Sequence, residues 1–285
     1  MSTEARNPRS IALDRMSAIE IVHLMNEEEH AVMRAMQTAE PLLAEAAERV
    51  AACYQQGGRI IYVGSGTSGR IAAMDAAEMP PTFGVDPDRF IAIVSYGPSA
   101  IGAGVEDAED DEHFAVSELN RLNVSLNDLV IGLSASGRTP FAVAAVRHAN
   151  QKGIWTCGIC NNRSGAILRE ADLPILLDTG AEVITGSTRL KAATALKLAL
   201  NRISTAAMVL SGKVIENLMV DVKAKNQKLK ERCARIVRDL SNATYDEAWD
   251  ILEQVNWNVR LALEVLQDQG MAVPRASSKP SYQQR

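Results

Sequence analysis

RIIYVGSGTSGRIAAMDAAEMPPTFG, residues 59–84, is the stretch from which the fold is read. Ile60-Ile61-Tyr62-Val63 is a short unbroken apolar run, the pattern of a parallel strand buried on both faces. It breaks into Gly64-Ser65-Gly66-Thr67-Ser68-Gly69, and a helical pattern follows. A glycine-rich turn between strand and helix offers free backbone N–H groups to an anion. Ser65, Thr67 and Ser68 add hydroxyls that rotate to suit phosphate oxygens. Glu78 comes one short helix later, and Met79-Pro80-Pro81 is read as the stop of that helix. An anion seat and a carboxylate so spaced point to an enzyme acting on a phosphorylated small molecule.

Working outward, strand-like runs recur between helical patterns at 60–63, 90–94, 129–133, 154–160 and 173–177. That alternation predicts an α/β fold, a doubly wound parallel sheet with right-handed helical crossovers. Upstream, residues 1–16 are polar and irregular, and residues 17–56 read as helices. Asn26 is expected to cap the second of these and Pro41 to open the third. Beyond Ser211 the chain is helical and increasingly charged, with the capping box Thr244-Tyr245-Asp246-Glu247 opening one of three short helices. The expected organisation is an N-terminal helical lead-in (1–56), a phosphosugar-binding α/β domain (57–215), a small C-terminal helical module (216–269) and a disordered tail (270–285).

Two further hydroxyl-rich turns resemble the first in composition. Ser134-Ala135-Ser136-Gly137-Arg138-Thr139-Pro140 follows the third strand, with Thr139 suited to an N-cap and Pro140 to the first helical position. Thr185-Gly186-Ser187-Thr188-Arg189-Leu190-Lys191 follows the last, with Ser187 or Thr188 as the expected cap of a helix running to about Leu210. Arg189 and Lys191 would bring positive charge, against the dipole of that helix. In open α/β sheets ligands bind beyond the carboxyl ends of the strands, so these turns can converge on one pocket.

Other chemistries are disfavoured. Gly64-x-Gly66-x-x-Gly69 matches the dinucleotide fingerprint formally, but the second strand runs into Ser95-Tyr96 rather than a ribose-binding acid. No Gly-Lys-Ser/Thr completes a Walker loop. A net charge of −5 argues against general nucleic-acid or anionic-membrane binding. No apolar run reaches membrane-span length, and the first ten residues lack a signal-peptide core, so a cytoplasmic protein is expected. His23, His30, His113 and His148 show no metal-ligand spacing. Cys157 and Cys160 lie in a strand pattern as packing residues, three apart and facing opposite sides. The acidic run from Glu106 to Glu112 reads mostly as a solvated helix face.

The set GTSGR, DAAEMPPTFG, VEDAEDD, SASGRTP, TGSTRLKA, ISTAAMV and NLMVDV, with TEARNP near the start, resembles the N-acetylmuramic acid 6-phosphate etherase family of the sugar isomerase (SIS) superfamily. The likeness runs from about Thr3 to Leu266. It implies cleavage of the D-lactyl ether of that phosphosugar by a homodimer needing no metal or organic cofactor, in peptidoglycan recycling. It implies that Glu78 and Glu109 are the catalytic carboxylates. Substrate and phosphate contacts fall to Ser65, Gly66, Thr67, Ser68, Ser134, Ser136, Gly137, Arg138, Thr139, Glu182, Ser187 and Lys191. Glu78 is expected in a dry pocket near Met79 and Phe83, as the acid that protonates departing lactate. Glu109 is expected to handle the C2 proton or the incoming water. Departures are Ser95-Tyr96-Gly97-Pro98 in place of an Ala-Gly-Gly turn, Met79 for Cys, Ala181 for Pro and Ala193 for Gly; none removes a carboxylate or a loop hydroxyl. An aldose–ketose isomerase and a non-catalytic phosphosugar sensor are the alternatives, and release of D-lactate separates both from an etherase.

Overall fold

The computed structural model describes residues 3–95, 97 and 109–273. Glu106 and Asp107 of the acidic run, Tyr96 and Pro98 of the departing turn, and the tail from Pro274 lie outside them. The chain divides into two compact units, Met1–Ala76 with Asp88–Ala207, and Ala77–Pro87 with Met208–Arg285.

The first unit is built on five parallel strands, β1 (Ile60–Gly64), β2 (Phe90–Val94), β3 (Leu129–Ser134), β4 (Trp155–Cys160) and β5 (Leu173–Leu176), in the order β2-β1-β3-β4-β5. β1 and β3 are buried along their whole length, which is why both read as unbroken apolar runs. Their alternate side chains serve opposite faces. Ile61 and Val63 pack with Val130 against α3 (Glu112–Arg121) and α4 (Pro140–Gln151), through Ala115, Leu119, Phe141 and Ala145. Tyr62, between them, donates its hydroxyl to Asp75 Oδ2 at 2.9 Å, on α2 (Gly66–Phe83). Asp75 Oδ1 accepts from Ser204 Oγ at 3.0 Å, on α6 (Lys191–Leu210). Burial raises the Asp75 carboxyl pKa against the lowering pull of these two hydroxyls. α5 (Ile167–Glu170) is a single turn beside β4 and β5.

Three expectations about helix ends are corrected. A single helix, α1, runs from Ala18 to Gln55, so Asn26 caps nothing and Pro41 lies inside it. Its buried face, with Val32, Ala35, Met36, Ala39, Leu43, Ala46 and Val50, continues through the proline and packs against the sheet. That packing outweighs the one hydrogen bond a proline forfeits. Ser17 starts α1 with a full capping box to Glu20. α2 likewise runs through Pro80 and Pro81 to Phe83, where Gly84 (φ +64°) closes it by donating its N–H to Pro80 O at 3.1 Å. Finally, α6 is capped by neither Ser187 nor Thr188. The Glu182 carboxylate accepts from the Lys191 and Ala192 N–H groups at 3.3 and 2.9 Å.

The edge of the sheet away from the hydroxyl turns is fixed by Arg59 and Asp128, which precede β1 and β3. The guanidinium donates to Asp128 Oδ1 and Oδ2 at 3.1 and 2.8 Å, and the same carboxylate accepts from the Arg59 and Ser125 N–H groups. Burial alone would raise the Asp128 pKa, but these donors together hold it below the ordinary carboxylate range. A depressed folded-state pKa gives stability that is present above the unfolded value of about 4 and is lost as pH falls through the folded one. Asp128→Asn is therefore expected to lower the melting temperature at pH 7 and to flatten its decline in acid. An unchanged acid limb would exclude Asp128 as a source of that decline.

In the second unit, β6 (Val214–Ile215) and β7 (Leu218–Met219) form a short antiparallel pair. Three helices follow, α7 (Gln227–Asp239), α8 (Tyr245–Gln254) and α9 (Val259–Asp268). Cys233, Val237, Ala248, Leu252, Ala262 and Leu266 form their core. The Thr244–Glu247 capping box starts α8 as the sequence suggests. No helix among the described residues is long and apolar enough to cross a membrane.

Candidate active site

The strand order reverses between β1 and β3: the chain leaves β1 to one side for β2, then crosses back to β3 on the other. At such a switch point the two following turns part and leave a crevice at the carboxyl ends of the strands. A cavity of about 260 Å³ lies there, lined by Ser65, Gly66, Thr67 and Ser68 from the first turn and by Ala135, Ser136 and Thr139 from the second. Gly186 and Thr188 come from the third, Ala193 from the start of α6, and Glu4 and Glu109 add carboxylates.

The second turn shows how the hydroxyls are set. Ser134 is buried, and its Oγ lies 3.3 Å from Ser136 Oγ and 2.9 Å from Thr139 Oγ1, while accepting the Gly137 N–H at 3.0 Å. Ser134 therefore orients the two hydroxyls that line the cavity. Thr139 stands at the N-cap of α4 but makes no side-chain capping bond, because its hydroxyl is held by Ser134. The N–H groups of a first helical turn have no partner within the helix, so they remain donors for an anion. In the first turn Ser65 Oγ lies 2.6 Å from Ser95 Oγ, at the end of β2. Gly69 must be glycine: a Cβ there would stand 2.6 Å from Gly64 O and 2.7 Å from Val94 Cγ1.

Thus Ser65, Gly66, Thr67, Ser68, Ser136, Thr139 and Glu109 share one cavity, whereas Ser134 and Gly137 lie behind its wall. Arg138 is exposed and Ser187 half-buried, neither of them lining it. Lys191 is committed elsewhere: its Nζ meets Glu28 Oε2 at 2.6 Å, both side chains being nearly buried. Burial pushes the Glu28 pKa up, but the Lys191 ammonium and the Asn7 amide more than reverse it. Glu182, capping α6, has its pKa raised by burial despite the two amides. Glu78 falls in the second unit's share of α2 and is exposed, which corrects the expectation of a dry pocket around it in the single chain. Glu4 was not anticipated; only its place in the TEARNP segment could have drawn attention to it.

Cys157 and Cys160 are free and buried; burial raises both thiols, that of Cys160 to about 11, against any redox role. Among the described residues no three His, Cys, Asp or Glu side chains are grouped to hold a metal ion.

These hydroxyl turns over a five-stranded parallel sheet define a SIS-type α/β protein. The model of the glucokinase regulatory protein N-terminal SIS domain matches residues 42–150, and that of the SIS domain residues 106–202. Two phosphoheptose isomerase structures share the fold: that from Francisella tularensis (TM-score 0.53, 16% identity, 68% of this chain and 100% of that one) and GmhA from Neisseria gonorrhoeae (0.51, 21%, 66% and 96%). Much nearer in sequence is the N-acetylmuramic acid 6-phosphate etherase of Halalkalibacterium halodurans, 46% identical over 92% of this chain and 88% of that protein. The etherase of Bacillus subtilis is 44% identical over 93% and 88%. The chain belongs to the N-acetylmuramic acid 6-phosphate etherase family.

Proposed function

We propose that the chain is a carbon–oxygen lyase that converts N-acetylmuramic acid 6-phosphate and water into N-acetylglucosamine 6-phosphate and D-lactate, in amino-sugar recycling. The observation that carries this is the near full-length similarity to proteins bearing that name. A hydroxyl-lined cavity with a carboxylate at its wall supports it.

An alkyl ether resists direct hydrolysis, but in the ring-opened sugar the lactyl oxygen is β to the C1 aldehyde. A carboxylate removes the C2 proton, the C2–H electron pair becomes the C2=C3 bond, and the C3–O bond breaks as an acid protonates the departing lactate oxygen. Water then adds its hydroxyl to C3 and a proton to C2. In this reading Glu109 moves the C2 proton or activates the water, and Glu78 protonates lactate. The hydroxyls of Thr67, Ser68, Ser136 and Thr139 hold the phosphate. Ser65, Gly66, Ser134 and Gly137 shape those turns, and Glu182 and Lys191 fix the start of α6 rather than touching substrate. Incubation with N-acetylmuramic acid 6-phosphate and a D-lactate assay test the reaction. A sugar isomerised without lactate release, or bound without turnover, overturns it. Ser136→Ala removes one hydrogen bond to a charged group, about 1.5 kcal/mol or roughly tenfold in KM with kcat nearly kept; an unchanged KM takes Ser136 out of the site.

A homodimer in the cytoplasm completes the proposal. Ile19, Val22 and Met33 are exposed on α1 at spacings that place them along one face, as an interface between copies would require. Sedimentation at micromolar concentration tests it.

A further inference from the structure

Glu4 and Glu109 are the two carboxylates among the residues lining the cavity. Glu4 reaches it from the N-terminal arm, which is anchored on both sides. Thr3 is fully buried. Asn7, also buried, donates to Glu28 Oε2 at 2.8 Å and to Ala181 O at 3.2 Å, and its Oδ1 accepts the Arg9 N–H. Glu28 is itself held by Lys191. With residues 3 and 7 both fixed, the short exposed stretch between them, Glu4 included, has little freedom to leave. The Glu4 carboxylate lies directly over Gly186, where a Cβ would come within 3.0 Å of Oε2. Gly186 has φ +74°, so a glycine both permits that turn and leaves room for the carboxylate.

Charge decides what such a group can contact. A carboxylate repels a phosphate at close range, whereas the hydroxyls of Ser136 and Thr139 and the first-turn amides attract it. The phosphate therefore takes the hydroxyl wall, and the carboxylate faces the part of the ligand that carries donors. A carboxylate is an acceptor only, so it reads hydroxyl and amide N–H groups and rejects further anions.

We infer that Glu4 is a specificity-determining residue of this cavity, accepting hydrogen bonds from the sugar hydroxyls or amide N–H of a bound phosphosugar. This rests on the phosphosugar reading of the cavity but not on the lyase chemistry. The full chain and its Glu4→Ala and Glu4→Gln variants are titrated calorimetrically with N-acetylglucosamine 6-phosphate and, separately, with inorganic phosphate. Loss of a hydrogen bond to a charged group predicts about tenfold weaker phosphosugar binding for Glu4→Ala. Glu4→Gln, which keeps one acceptor oxygen, falls between that variant and the unaltered chain, and inorganic phosphate binds both variants no more weakly than the unaltered chain, because each loses a repelling charge. In the lactate assay the loss falls on KM rather than kcat. Equal losses for phosphosugar and phosphate would make the arm merely structural and overturn the inference, as would unchanged phosphosugar binding. If the binding pattern holds but no lactate is released, the reaction proposed above fails and the role of Glu4 stands.

Discussion

Replacing Glu109 by glutamine is expected to cut D-lactate release by roughly a hundred- to ten-thousand-fold, the range that one positioned acid–base group supplies. Binding of N-acetylglucosamine 6-phosphate should survive, because glutamine keeps the shape of the side chain and the proposed phosphate contacts come from other residues. Glu109 lines the cavity beside Ser65–Ser68, two residues ahead of Asp111, which caps α3 by accepting the Phe114 N–H at 2.8 Å. Backbone fixed so close by gives the carboxylate a defined place against a ligand. Glu78→Ala is expected to abolish lactate release to a similar extent with binding retained. Single-turnover kinetics with equilibrium binding on both variants checks the pair. Turnover retained in either variant removes that residue from the acid–base pair, and loss of binding in step with turnover would make it a binding group instead.

The largest expected loss of stability comes from Gly137→Ala. Gly137 has φ +70°, a conformation that costs an L-residue about 1–2 kcal/mol. An added Cβ would stand 2.6 Å from Gly165 Cα and 2.8 Å from Cys160 Sγ. Backbone and a buried thiol yield little, so overpacking adds about 1–3 kcal/mol more. Urea unfolding should register a total of about 2–5 kcal/mol. Phosphosugar affinity should fall as well, because the Gly137 N–H helps to hold Ser134, which orients Ser136 and Thr139. A midpoint indistinguishable from that of the unaltered chain would show that the turn can relax, and Gly137 would lose its assigned role.

The strands were legible because each is a local pattern. Ile60–Val63 and Phe90–Val94 need nothing but their own residues to announce a strand, and their ends are found within a residue. Pro140 at the first position of α4 is equally local. The prolines at 41, 80 and 81 misled, because a proline costs one helical bond whereas burial of a whole helical face is decided by what packs on it. The cap of α6 was missed for a related reason: Glu182 lies nine residues before Lys191, and only the folded loop between them brings its carboxylate to the helix start. Lys191 resembled an anion binder in sequence, and its Glu28 partner lies 163 residues away.

By itself, then, the sequence determined the five parallel strands of the main sheet and the hydroxyl turns at their ends, but not the short antiparallel pair β6–β7. These depend on interactions among residues a few positions apart. Tertiary structure alone decided which hydroxyls line the cavity and which brace others, that Lys191 pairs with Glu28, and that Glu4 enters the cavity. Burial, pairing and capping across long stretches of chain are set by which surfaces meet, and no local pattern encodes that meeting.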